Sequence, residues 1–138
     1  MDPNFHTTVR NLSSKVIYEL NGYPTEVPNN EVGKWLLCHV KDQLDNCYFK
    51  EMEPLLPPHN DLWELTNFFS NIIRELFNDN ECNMEKIIVL LAYACRFTKI
   101  ILNTTEFSPR LVMTTMSLVV ADLLTMPVIE SYLLEMNE

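Results

Sequence analysis

Glycine is nearly absent from this chain of 138 residues, which contains only two. Tight turns between strands and phosphate-binding loops both rely on glycine, because its backbone adopts positive φ angles and approaches ligands closely. The scarcity therefore argues against sheets joined by tight turns and against glycine-rich phosphate loops. It favours helices.

Basic residues are also scarce. Ten lysines and arginines face 19 aspartates and glutamates, for a net charge of −9. Nucleic-acid binding depends on a basic surface, so we expect no nucleic-acid partner. An anionic membrane surface is disfavoured for the same reason, whereas a basic peptide could be attracted.

No charge-free run is long enough to cross a bilayer. Residues 87–95 provide nine uncharged positions and residues 111–121 provide eleven, whereas spanning needs roughly 20. The start, MDPNFHTTVR, lacks the basic and apolar regions of a signal peptide, and the chain ends on EMNE. We therefore expect an intracellular protein with no transmembrane anchor.

The four cysteines form neither a CxxC pair nor a tight cluster. This pattern suits reduced thiols in an intracellular protein better than a disulfide scaffold or a zinc site. The sequence thus predicts no metal and no cofactor. Cys95, inside the most apolar stretch, is expected to be a small core residue.

Catalytic motifs are missing as well. The sequence has no GxSxG, HExxH, P-loop or ExxH pair, and its three histidines lie far apart. Cys38 and His39 are neighbours, but adjacent helical positions point about 100° apart, so they do not easily form a dyad. We expect a protein that is not an enzyme.

Apolar residues recur at helical spacing along almost the whole chain, which predicts six or seven helices and no strand. The central helix, from about Met84 to Leu102, is apolar on every face, and such a helix is normally buried. The predicted fold class is all-α, with amphipathic helices around a buried central hydrophobic helix in one domain, residues 1–138. Caps and breakers predict helix ends near Gly22, Pro24, Asn30, the prolines of 54–58, Asp61, Asn83, Ser108, Pro109 and Pro127.

One stretch is apolar but flanked by charge. Tyr48 and Met52 stand beside Lys50, Glu51 and Glu53. An exposed apolar stripe with a charged rim is typical of a groove that accepts a helix. Groove and plain core remain equally open for these two residues.

The segment ELFNDNECNMEKIIVLLAYA, Glu75 to Ala94, resembles the first homology motif of the B-cell lymphoma-2 (Bcl-2) family of apoptosis regulators. That motif reads Leu/Val-Phe-x-Asp-Gly, two variable residues, Asn-Trp-Gly-Arg, and then an apolar helix. Four residues match it in register, and four depart: Asn80 replaces glycine, and residues 84–86 replace Trp-Gly-Arg. The matching residues are Leu76, Phe77, Asp79 and Asn83.

A second segment, LLCHVKDQLDNCYFKEMEPLL, resembles the helix that carries the family's third homology (BH3) motif. Leu37, Val40, Asp42 and Leu44 have its spacing, while Lys41 stands where the family has a small residue. The second homology motif is not recognisable in TMPVIESYLLEMNE. In its compact length and its diverged motifs, the chain resembles a viral inhibitor of apoptosis from a large DNA virus such as an iridovirus.

The resemblance implies a Bcl-2-like helical bundle that sequesters the amphipathic BH3 helix of pro-apoptotic relatives in a hydrophobic groove. It implies a host-cytoplasmic location, with peripheral attachment to mitochondria left open. Asn83 and Lys86 would receive the aspartate of the ligand, beside Glu85. The implied pocket lining is Leu44, Tyr48, Met52, Leu55, Phe69, Ile72, Leu76, Val89 and Tyr93.

The departures from the motif predict a narrow ligand range. Lys86 keeps the positive charge but lacks arginine's planar fork, so its pairing with an aspartate becomes single-point. Glu85 fills the space of a glycine and adds negative charge near the ligand's acid, or else pairs with Lys86 itself. We therefore expect few pro-death helices to bind well.

Two other functions remain open. A viral protein of the same fold could modulate innate-immune signalling through a surface other than the groove. The chain could instead be an unrelated helical enzyme or assembly protein, a hypothesis that the missing catalytic motifs disfavour. An exposed apolar groove could also be covered by a second copy of the chain, so a homodimer is possible.

Overall fold

The computed structural model describes residues 15, 17, 18, 21, 22, 31–45 and 61–135, with the side chains of 31–33 excepted. These residues form five helices and no strand, which confirms the all-α class. Leu55, Tyr48 and Met52 of the predicted groove lie outside the described residues. The helices are α1 Glu31–Leu44, α2 Leu62–Leu76, α3 Met84–Thr104, α4 Pro109–Leu123 and α5 Pro127–Glu135.

The predicted caps of α2 and α3 are confirmed. The Asp61 side chain accepts a hydrogen bond from the backbone N–H of Glu64 at 2.9 Å. The Asn83 side chain accepts one from the N–H of Lys86, also at 2.9 Å. Each bond satisfies a donor that the first turn of a helix would otherwise leave unpaired.

The end of α4 lies earlier than its apolar pattern predicts. The sequence predicts a helix to about residue 126, but α4 ends at Leu123, and Pro127 then opens α5. Proline disfavours the helical conformation of the residue before it, so Met126 leaves the helix. The backbone N–H of Thr125 and its hydroxyl both donate to the Asp122 carbonyl, which closes the turn.

The central helix is α3, and it is buried as predicted. It packs against α1, α2 and α4, and α2 also packs against α4. One hydrophobic core collects side chains from all five helices and from Ile17. Cys95 lies in this core as expected.

By length and composition α3 could also cross a membrane, and the bent pair α4–α5 passes the same test when taken as one span. Most of α3 is already buried against other helices. A helix that is apolar on all sides is explained by such burial. The expected lack of a transmembrane anchor stays a prediction.

The end of the first predicted helix is partly described. Gly22 has a φ of +83°, the left-handed conformation that commonly follows a helix. The Asn21 side chain donates to the carbonyls of Ile17 at 2.9 Å and Cys95 at 3.4 Å. The bond to Cys95 joins this segment to α3.

Candidate functional site

The corner between α2 and α3, residues 77–86, contains three of the four residues that carry the resemblance to the Bcl-2 motif, namely Phe77, Asp79 and Asn83. After α2 the chain turns through hydrogen bonds from Phe77 N–H to the Arg74 carbonyl and from Asn80 N–H to the Phe77 carbonyl. Asn80 has a φ of 59°, which is rare for any residue except glycine and is best tolerated by asparagine and aspartate. The position where the motif has glycine therefore has the backbone conformation that glycine favours.

The Lys86 ammonium is the charged centre of this corner. It donates to both carboxylate oxygens of Asp79, at 2.8 Å and 2.9 Å, and to the Glu81 carbonyl at 3.1 Å. It also lies 5.5 Å from the centroid of the Phe77 ring, within the range of a cation–π contact. The Lys86 side chain is only 19% exposed and that of Asp79 is 49% exposed.

Asp79 is ordered by the same corner. Its carboxylate also accepts the Glu81 backbone N–H at 3.0 Å. The hydrogen bond from Lys86, helped by the Glu81 N–H, lowers the pKa of the Asp79 carboxyl below its usual range. Both bonds favour the charged form of the acid.

The sequence left two partners open for Lys86, a ligand's aspartate or Glu85. Within the described part of the chain, the ion pair of Lys86 is instead with Asp79. Glu85 is exposed, and adjacent residues of a helix diverge by about 100°, which does not favour a pair with Lys86. Asn83 contributes its side chain to the cap of α3, where it contacts the Lys86 backbone.

Two of the predicted pocket residues lie inside the core. Phe69 is 0% exposed, and its ring stacks on that of Tyr93 with centroids 5.7 Å apart. Phe97 completes the cluster, 5.4 Å from Phe69 and 6.2 Å from Tyr93. These rings join α2 to α3.

The other described pocket residues are only partly buried. Each packs against the core on one side and retains some solvent exposure on the other. Partial burial of this kind fits the wall of a groove and equally the edge of a core, so the assignment of these residues to a groove stays a prediction. They are Leu44 of α1, Ile72 and Leu76 of α2, and Val89 of α3.

A second surface was not expected from the sequence. A cleft between α2 and α4 is bordered by Trp63, 68% exposed, and Leu118, 67% exposed. Trp63 follows the buried Leu62 directly, so its position off the apolar stripe of α2 was a signal in the sequence. Arg74 and Asp122 also line this cleft, among mainly uncharged polar residues.

A further shallow cleft lies between the corner and α5. Asn80, Cys82 and Tyr132 contribute to its wall. Burial raises the pKa of the Cys82 thiol to about 11 and also raises that of Tyr132. Neither group is therefore activated as a nucleophile near neutral pH.

The described residues contain no group of three or more histidine, cysteine, aspartate or glutamate side chains that could hold a metal ion. Comparison of the chain with protein-family models, with curated proteins and with solved structures yields no match.

Proposed function

We propose that this chain is a viral inhibitor of apoptosis that sequesters the BH3 helix of pro-apoptotic Bcl-2 relatives in a groove on a Bcl-2-like bundle. The observation that carries the proposal is the α2–α3 corner. Its left-handed Asn80 stands at the motif's glycine, and its Asn83 caps the central helix. The resemblance in residue types is thus accompanied by a backbone conformation at residue 80 that suits the glycine of the motif.

The apolar side chains near the corner also support the proposal. Leu76 ends α2 just before the corner, and Val89 lies one turn beyond Lys86 on α3. Both are partly buried. An amphipathic helix binds by placing its apolar residues, spaced three or four apart, into pockets lined by such side chains.

Binding should be tested by calorimetry against a panel of BH3 peptides from different pro-apoptotic proteins. We expect one or a few peptides to bind tightly and most to bind weakly, because Glu85 occupies a glycine position and Lys86 lacks arginine's fork. Similar tight binding by every peptide would contradict the selectivity. No binding by any peptide would contradict the function.

A matched pair of variants tests which surface of the protein binds the peptide. Val89→Glu introduces a charge at the partly buried site on α3 and should abolish binding of the tight peptide. Leu118→Glu makes the same change at an exposed position of the α2–α4 cleft and should leave binding unchanged. Thermal unfolding of both variants shows whether the fold is retained.

The α2–α4 cleft favours a second candidate, a modulator of innate-immune signalling that acts through a surface other than the groove. Exposed Trp63 and Leu118 are the large apolar side chains that a partner could cover there. In a signalling reporter assay, Leu118→Glu should then remove activity without affecting peptide binding. Loss of activity with Val89→Glu alone would favour the groove.

A further inference from the structure

We propose that Asp79 determines ligand specificity, because it competes with the acidic residue of a bound helix for Lys86. This inference rests on the proposed function and concerns the same site. It assigns to the chain's own carboxylate the role of a competitor located inside the binding site. The result would be a groove that selects helices by their apolar residues more than by their acid.

The geometry at Lys86 carries the argument. An ammonium group has three hydrogen-bond donors. Here three oxygens surround it, two from the Asp79 carboxylate and one from the Glu81 carbonyl, all within 3.1 Å. An incoming carboxylate therefore finds no free donor and must compete with these oxygens, two of which belong to Asp79.

Displacement is opposed by the way in which Asp79 is held. Its carboxylate also accepts the Glu81 N–H, and the two paired residues are only seven positions apart in the chain. A group tethered so close acts at a high effective concentration, whereas the ligand's acid must be brought from solution. Exposed Glu81 and Glu85 add further negative charge near the site.

The test measures how much the ligand's acid contributes with and without the competitor. The tightest peptide of the panel and its Asp→Asn form are titrated into the wild type and into Asp79→Asn. Asparagine retains an oxygen for the Glu81 N–H but loses the charge that attracts Lys86. The quantity compared is the ratio of the two dissociation constants, that of the Asp→Asn peptide over that of the original peptide. We expect this ratio to be less than about three in the wild type and about ten or more in Asp79→Asn.

Two controls separate this effect from general electrostatics. Glu81→Gln removes the same formal charge from an exposed side chain near Lys86. It keeps the backbone groups that contact Asp79 and Lys86, so the weakening caused by the peptide change should stay near the wild-type value. Adding Lys86→Met to Asp79→Asn should return the ratio to the wild-type value as well. A tenfold ratio in Glu81→Gln would attribute the effect to net charge and overturn the inference.

The remaining outcomes are also decisive. If the peptides bind but the wild type and Asp79→Asn give equal ratios, Asp79 is not a competitor, and the proposed function still stands. A tenfold ratio in the wild type would overturn the inference by itself. This outcome can be measured even if Asp79→Asn does not fold. If no peptide binds the wild type, the proposed function fails and the inference with it.

Discussion

At the scale of single residues, the corner places an asparagine in a left-handed backbone conformation that usually favours glycine. Asparagine is the substitute that tolerates a left-handed backbone best, because its short polar side chain can bond locally. Asn80, with a φ of 59°, uses this tolerance. The neighbouring exposed Asn78 has no positive φ and instead donates to the Glu75 carboxylate at 3.2 Å.

We therefore expect Asn80→Ala to lower the free energy of unfolding by about 1 kcal/mol, because alanine is strained in this conformation. Asn80→Gly should leave stability unchanged or raise it slightly. Urea denaturation of the two variants measures the difference. Asn78→Ala, the matched control, should stay within about 0.5 kcal/mol of the wild type, and equal stability of the alanine and glycine variants at 80 would refute the argument.

At the scale of elements, the apolar residues of α2 range from fully buried to mostly exposed. Phe69 is sealed against Tyr93 and Phe97 of α3, whereas Trp63 on the same helix faces the α2–α4 cleft. Ile72 and Leu76 lie between these extremes of burial. The same apolar stripe thus supplies both core and partly exposed positions.

Substitution of Phe69 and of Trp63, two of the three aromatic residues of α2, should show this difference in burial. Phe69→Ala removes a fully buried ring and should cost about 3–5 kcal/mol of unfolding free energy. Trp63→Ala removes a larger but mostly exposed side chain and should change stability by about 0.5 kcal/mol or less. Chemical denaturation followed by circular dichroism gives both values, and a similar loss in both variants would mean that Trp63 is also part of the packing.

The starts of α2 and α3 could be predicted from the sequence because capping is local. Asp61 and Asn83 each bond an N–H three residues ahead, so the residue type and its position suffice. The partner of Lys86 could not be predicted in this way. It lies seven residues back, across a corner whose path depends on the left-handed Asn80.

The exposure of Trp63 could be predicted only in part. Its position off the apolar stripe was a signal in the sequence, but the exposed area also depends on which part of α2 is covered by α4. Helical periodicity indicates that Leu62, Leu65 and Phe69 share a face, and it does not show where a neighbouring helix stops. The buried α3 was predictable for the opposite reason. A helix that is apolar on every side has no face left for solvent, whatever surrounds it.

At the scale of the whole molecule, the three described cysteines differ in their solvent exposure. Cys38 is exposed on α1, Cys82 is half-buried in the corner, and Cys95 is buried in α3. Burial raises the pKa of the Cys95 thiol to about 12, so very little reactive thiolate forms near neutral pH. Access of a reagent to Cys95 thus requires the helices around α3 to separate.

We expect iodoacetamide to modify Cys38 quickly in native buffer, and Cys95 only at a rate set by opening of the bundle. Urea below the unfolding transition should accelerate modification of Cys95 strongly, since opening exposes buried surface, and should have little effect on Cys38. Peptide mapping by mass spectrometry separates the sites, and a Cys47→Ser background removes the fourth thiol, which lies outside the described residues. Modification of Cys95 as fast as that of Cys38 in native buffer would show that α3 is not held in a closed core, and the bundle that presents the corner and its Lys86 would then have to be reconsidered.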